Sequence, residues 1–159
     1  SGPALTGEKI MLAQAELIAA AERLPEEQVR ANADLQRMMF AAVRSGTGWE
    51  AAFEAGEKLT LAAIARLPEE QRKMMGDPRT VARQQIAAQV TSMRSPWFKF
   101  FLDYDPAPTL AKVQVPVLAL FGGKDLQVPA EPNRRTMEEV FAKSGLKDYR
   151  LVVSFSALN

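Results

Sequence analysis

Residues 1–104 and 105–159 differ in their pattern of apolar and polar residues, and this difference constrains the fold most. The first part is dominated by Ala, Leu, Met, Glu, Gln and Arg, which favour helices. The second part contains two short apolar runs, around Val117 and Leu151, with one helical pattern between them. A strand, a helix and a strand in this order indicate a parallel pair. We therefore expect a mostly α protein with a small parallel β unit.

Proline and glycine residues divide the first part into separate helices. A proline fits the first turn of a helix, and acidic residues after it interact favourably with the helix dipole. Glycine-rich stretches end helices. The expected helices run from Glu8 to Leu24, from Pro25 to the stretch Ser45–Gly48, from Trp49 to Leu67, and from Asp77 to Met93.

The segment Leu24–Gln28 recurs unchanged as Leu67–Gln71. It is either an internal repeat or the same helix-start chemistry used twice, and we favour the second because the similarity ends there. Paired glutamates at 26/27, 69/70 and 138/139 could suggest acid–base catalysis. All lie on predicted helices, so we interpret them as solvated side chains.

The C-terminal part predicts one β-α-β unit. The segment Asp105–Pro108 is expected to be a connector, because two prolines in four residues stop a helix. The run from Val117 to Phe121 is apolar throughout, which is typical of a strand covered on both faces of a parallel sheet. A helix from Glu131 to Lys143 and a second strand from Tyr149 to Phe155 complete the unit.

Composition excludes several classes of function. Lys plus Arg total 20 and Asp plus Glu total 19, so no basic surplus points to nucleic acid. Apolar stretches fall short of the roughly 20 residues that span a bilayer. No targeting segment is recognisable, so localisation stays unknown and cytoplasmic by default. The chain contains neither His nor Cys, which removes the usual general base, the thiolate nucleophile and the zinc ligands. We expect no metal and no cofactor.

Asp125 is the main candidate for chemistry. It follows the buried strand directly, and ligands of open α/β sheets bind at the carboxyl ends of the strands. Gly122 and Gly123 would allow the tight turn that points Asp125 across this edge. Asp103 and Asp105 could bracket Mg²⁺, but beside Pro106 they are better interpreted as turn and capping residues.

The segment Leu110–Pro129 resembles the acid-bearing loop of the α/β-hydrolases, in which a strand reading like "VPVLALFG" is followed by a glycine-rich turn and an Asp. Residues 95–113 resemble the segment that joins cap to core in a bacterial esterase- or peptidase-like branch, and residues 2–14 resemble the exit from the strand after the nucleophile helix. The resemblance implies a partial α/β-hydrolase, with a helical cap-like region at 1–104 and a β-α-β core part at 105–159.

Under this resemblance, Asp125 matches the acid of a Ser–His–Asp triad, which orients the imidazole and stabilises its charged form. Trp97, Phe98 and Phe101 would be candidates for the substrate pocket, and a small acyl or ester compound would be the ligand. The alternative for these aromatic side chains is ordinary packing.

The sequence departs from the family at the other two triad positions. It contains no Gly-x-Ser-x-Gly nucleophile elbow, and it ends at Leu158–Asn159, near the place where the family has its histidine. We therefore expect a truncated, carboxylesterase-like serine hydrolase portion that is inactive alone. The alternative is a non-catalytic helical binding or oligomerisation module. In such a hydrolase portion the two strands alone make a poor sheet, so we expect a homodimer that covers the exposed surface.

Overall fold

The computed structural model describes residues 4–155, which are mostly helical and contain one two-stranded parallel sheet. The predicted fold class is confirmed. The expected helices and strands are present, with bounds that differ by a few residues from those predicted. In chain order the elements are α1 (Gly7–Ala21), α2 (Glu26–Ser45), α3 (Trp49–Ala65), α4 (Glu69–Met74), α5 (Pro78–Met93), α6 (Pro96–Asp103), α7 (Ala107–Leu110), β1 (Val117–Gly122), α8 (Ala130–Ser144) and β2 (Tyr149–Ser154).

The chain forms two compact units. Residues 24–100 make a helical unit, and the described residues before 24 join those from 101 onward in a second unit. The sequence placed the boundary at Tyr104, whereas α1 belongs with the strands. The reason is tertiary: the Ala4 N–H donates to Asn133 Oδ1 at 2.7 Å, and Gly7 lies against the Phe101 side chain.

The helical unit is built on the packing of α3 against α2 and α5. Small residues permit the close approach of α3 and α5, since a Cβ added at Gly56 would lie 2.8 Å from Ile86 Cδ1. The start of α5 has the predicted cap, because the Asp77 side chain accepts a hydrogen bond from the Thr80 N–H at 2.8 Å. The buried apolar side chains of this unit include Met39, Phe40, Val43, Ala52, Ile64, Ala82, Ile86, Val90 and Met93.

The second unit contains the sheet and α8. Strands β1 and β2 pair in parallel, with Val117 opposite Tyr149 and Gly122 opposite Ser154. One face of this sheet packs on α8, where it forms the core of the unit. That core combines Ala119, Phe121, Ala130, Met137 and Phe141 with the partly buried Val117, Tyr149, Leu151 and Val153.

The other face of the sheet, which we call the outer face, is open in this chain. Its members alternate with the core positions along β1, and Leu118 and Leu120 are 65% and 53% exposed. The prediction that β1 is covered on both faces is therefore wrong for the described residues. A single β-α-β crossover supplies one helix, and one helix covers only one face.

The proline-rich connector also differs from expectation, because it contains the short helix α7. Pro106 and Pro108 both lie at positions where a missing N–H costs no intrahelical bond. Asp105 Oδ1 accepts a hydrogen bond from the Ala107 N–H at 3.0 Å, two residues on, which fits its interpretation as a turn residue; the N-cap of α7 is Pro106.

Candidate functional site

Asp125 lies in the loop that follows β1, at the carboxyl end of the parallel pair. The Asp125 N–H donates to the Gly122 carbonyl at 3.1 Å, which closes a tight turn. The Gly123 N–H donates to the Ser154 carbonyl at 2.6 Å and continues the β1–β2 ladder into this turn. The loop is thereby attached to both strands, and Asp125 is held at the sheet edge.

Glycine is required in this turn for a different reason from the one expected. Neither Gly122 nor Gly123 has a positive φ, so the turn itself does not need glycine. A Cβ at Gly123 would instead lie 2.5 Å from the Phe155 ring carbons Cδ1 and Cε1. The absent side chain lets the aromatic ring lie directly on the loop, next to Asp125.

The Asp125 carboxylate is oriented by its own loop. Its Oδ1 accepts hydrogen bonds from the Gln127 N–H at 2.8 Å and the Val128 N–H at 3.0 Å. Its Oδ2 accepts none from the described part of the chain, and the residue is exposed. One oxygen therefore fixes the plane of the carboxylate, while the other is available to an external N–H donor.

An open cleft of about 570 Å³ lies beside this carboxylate. It lies within the second unit and is formed by α1, the Asp125 loop, the start of α8 and the end of β2. Its walls are mostly apolar, with Leu17, Leu126, Pro129, Val153 and Phe155 among the residues that line it. A concave apolar surface with a few polar groups is typical of a small-molecule site.

Three carboxylates face this cleft: Asp125, Glu16 and Glu131. Glu131 is paired, since Arg134 Nη2 lies 2.8 Å and Arg135 Nε 3.2 Å from its Oε1. The hydrogen bond from Arg134 is the main cause that lowers the pKa of Glu131 from 4.5 to about 2. Glu131 is thus ionised through the ordinary pH range and its charge is balanced locally.

Asn133 anchors the N-terminal segment to the base of this site. It is fully buried, and its Oδ1 accepts the Ala4 N–H at 2.7 Å while its Nδ2 donates to the Pro129 carbonyl at 2.9 Å. Nothing in the sequence singled out Asn133 as a buried residue. The only signal was an Asn inside a helix, where its intrinsic propensity is low.

The three aromatic pocket candidates lie on α6. Trp97 is exposed, while Phe98 and Phe101 are half-buried, and the Trp97 and Phe98 rings form an edge contact with centroids 6.5 Å apart. Phe101 contacts Gly7 at the start of α1. None of the three lines the cleft beside Asp125. Their role in a substrate pocket stays a prediction.

A second cleft, of about 530 Å³, lies in the helical unit between α3 and α5. Its central residue is Glu57, whose side chain is only 12% exposed and whose carboxylate oxygens lie 3.2 Å from Arg79 Nε and 3.5 Å from Arg83 Nη1. Arg83 also lies over the Phe53 ring, 5.5 Å from its centroid. Glu57 was not predicted from the sequence, although its position four residues after Phe53 places it on the same helix face.

Two further findings bear on the classes of site. Between residues 4 and 155, no group of three His, Cys, Asp or Glu side chains is placed to hold a metal ion. No helix in the same range is long and apolar enough to cross a membrane. Leu158 and Asn159, where the hydrolase resemblance would place the neighbourhood of the triad histidine, lie outside the described residues, as do Gly2 and Pro3 of the N-terminal resemblance.

Comparison with protein-family models, with curated proteins and with solved structures finds no match for this chain.

Proposed function

We propose that this chain is the acid-bearing portion of an α/β-hydrolase-like serine hydrolase of carboxylesterase type, with Asp125 in the position of the triad acid. The observation that carries the proposal is the Asp125 carboxylate itself. It follows a parallel strand, its Oδ1 is held by two backbone N–H groups, and its Oδ2 is available beside an apolar cleft. A triad acid needs this arrangement, because it must accept an imidazole N–H in a fixed orientation.

In this proposal the chain supplies orientation and charge but not the nucleophile or the base. Its 159 residues contain no His and no Gly-x-Ser-x-Gly. A second polypeptide segment would supply both, together with the oxyanion hole. A small acyl or ester compound would be the substrate.

The test is reconstitution of ester hydrolysis. The chain alone should not hydrolyse p-nitrophenyl esters, and activity should appear when it is combined with an N-terminal half carrying the elbow and a segment carrying the histidine. Asp125→Asn should then lower kcat by about 10⁴-fold, since the imidazole loses its orienting carboxylate.

Asp105→Asn is the matched control, because Asp105 is an exposed carboxylate that accepts one hydrogen bond in the turn before α7. It should leave the reconstituted rate unchanged. A reconstituted enzyme whose rate is the same with Asp125→Asn would contradict the assignment of the acid.

The second candidate function is a non-catalytic module that assembles with itself. The exposed outer face of the sheet favours it, because parallel sheets in proteins are covered on both faces and Leu118 and Leu120 are not covered here. In a homodimer, a second copy would cover this face. Light scattering at micromolar concentration tests this candidate, since a module that assembles with itself must form a dimer.

A further inference from the structure

The cleft beside Asp125 has apolar walls that remain accessible. Leu17 and Leu126 are 39% and 44% exposed, and Phe155 is 68% exposed. The three side chains come from α1, the Asp125 loop and the residue after β2, so they approach the cleft from different elements. Its volume of about 570 Å³ falls within the range of roughly 300–1,000 Å³ typical of small-molecule sites.

The charges around the cleft are unbalanced. Among the residues that line it, none is Lys or Arg, while three are acidic. Glu131 forms ion pairs with Arg134 and Arg135, whereas Glu16 and Asp125 form no ion pair within the described chain. Glu16 lies on α1 and Asp125 on the loop, so two uncompensated carboxylates flank an apolar surface.

The start of α8 also borders the cleft, and a helix N-terminus by itself favours an anion. Here two carboxylates oppose the preference of the α8 N-terminus for an anion. Glu131 lies in the first turn of α8, and the Asp125 carboxylate takes the N–H groups of Gln127 and Val128 just before it. An anionic ligand would meet carboxylates where it needs donors.

We propose that this cleft binds a small apolar molecule carrying one positive charge, of the alkylammonium class. The apolar chain would lie against Leu17, Leu126 and Phe155, and the ammonium group would interact with Glu16 and Asp125. This binding does not depend on a catalytic role for Asp125, so it holds or fails separately from the proposed hydrolase function.

Three probes of equal chain length test the proposal: n-octylammonium, 1-octanol and octanoate, each below the concentration at which it aggregates. Binding is followed by calorimetry and by the NMR shifts of the Ala13, Leu17 and Val153 methyl groups. We expect octylammonium to bind several-fold more tightly than octanol, because the two exposed carboxylates attract the ammonium group but not the hydroxyl. Octanoate should bind more weakly than octanol.

Two variants test the charges without altering the fold. Glu16→Gln removes an exposed carboxylate, and Asp125→Asn keeps the Oδ1 acceptor for the loop amides. Each should reduce the several-fold preference for octylammonium over octanol, with octanol binding unchanged. Glu54→Gln, an exposed acid of the other cleft, should change nothing.

Leu17→Asn tests the apolar wall and should weaken all three probes together. The proposal is overturned if octylammonium and octanol bind equally, if the preference survives both charge variants, if the shifts lie outside the cleft, or if no probe binds.

Discussion

At the scale of single residues, Asp125 and Asn133 show how hydrogen bonds with the backbone define a side chain's role. Asp125 uses one oxygen on its own loop and leaves the other exposed. Asn133 uses both ends of its amide inside the unit, where each buried polar atom must find a partner. The first arrangement suits recognition of something outside the chain, and the second suits structure alone.

The capacity of Asp125 to hold an imidazolium can be measured directly, because the chain contains no other histidine. Phe155→His would place one imidazole on the ring position that lies over Gly123, in the same cleft as Asp125. We expect the pKa of this histidine to lie about one unit above its ordinary value of roughly 6.5, since a neighbouring carboxylate favours the charged form. NMR titration of the ring protons measures it.

The control for this titration is the double variant Phe155→His/Asp125→Asn. Its histidine should titrate near the ordinary value, because the Asn keeps the loop hydrogen bonds but removes the charge. Equal pKa values in the two proteins would mean that Asp125 does not reach this position.

Removing the Asn133 amide should destabilise the unit that contains the sheet. Asn133→Ala leaves the Ala4 N–H, on a residue that is 1% exposed, without its acceptor. An unsatisfied buried donor costs about 1–3 kcal/mol, so the free energy of unfolding should fall by this amount. Urea denaturation followed by NMR signals of α8 measures it.

Asn32→Ala is the matched control for that experiment. Asn32 lies on α2, in the other unit, and its side chain makes no hydrogen bond among the described residues. It should change stability by less than about 0.5 kcal/mol. If both variants lose a similar amount of unfolding free energy, the hydrogen bond from Ala4 to Asn133 contributes little to stability.

At the scale of elements, local chemistry explains where the helices start and end. Asp77 and Pro78 begin α5, Pro129 precedes α8, and Gly145 ends α8 in a left-handed conformation. Each signal acts within one turn of the helix, which is why the sequence predicted these bounds to within a few residues. The connector at 105–108 was predicted less well, because prolines in a first turn permit a helix as readily as they end one.

The first turns of α8 should make stability depend on pH. Arg134, by its hydrogen bond, lowers the pKa of Glu131 from 4.5 to about 2 in the folded chain. A carboxyl whose folded pKa is lowered contributes stability that is fully present above pH 4.5 and is lost as pH falls toward 2. Glu131→Gln should therefore reduce the fall in unfolding free energy across this range.

Urea denaturation of both proteins at several pH values in that range measures the difference. The control is Glu139→Gln, because Glu139 lies on the same helix but forms no ion pair in the described chain. It should leave the pH dependence of the unfolding free energy unchanged. If the unfolding free energy of the Glu131→Gln protein depends on pH as steeply as that of the wild type, Glu131 is not the source of the pH dependence.

At the scale of the whole molecule, the two-stranded sheet is covered on one face only. Leu118 and Leu120 form the exposed apolar part of the outer face, and both outer edges of the strand pair lack a partner strand among residues 4–155. Exposed apolar faces and open strand edges promote association. The molecule therefore carries a surface suited to a further protein segment.

If a second copy covers the outer face, the isolated chain is a dimer at micromolar concentration. The double variant Leu118→Lys/Leu120→Lys should then halve the mass measured by light scattering, because four buried charges per dimer would oppose association. Met74→Lys is the control, since Met74 is 89% exposed and lies in the helical unit.

A monomeric wild-type chain, or a dimer that survives both lysines, would exclude assembly through the outer face. The first of these results would also exclude the self-assembling module as the second candidate function.

The sequence by itself determined the long helices, the strand after residue 116 and the position of Asp125 behind that strand. These features depend on caps, turns and apolar periodicity, which act between residues close in the chain. Only the tertiary structure decided that α1 belongs to the unit that contains the strands, that Asn133 and Glu57 are buried with partners, and that one face of the sheet is open. Burial depends on residues distant in sequence: Ala4 and Asn133 are 129 positions apart, and no local pattern connects them.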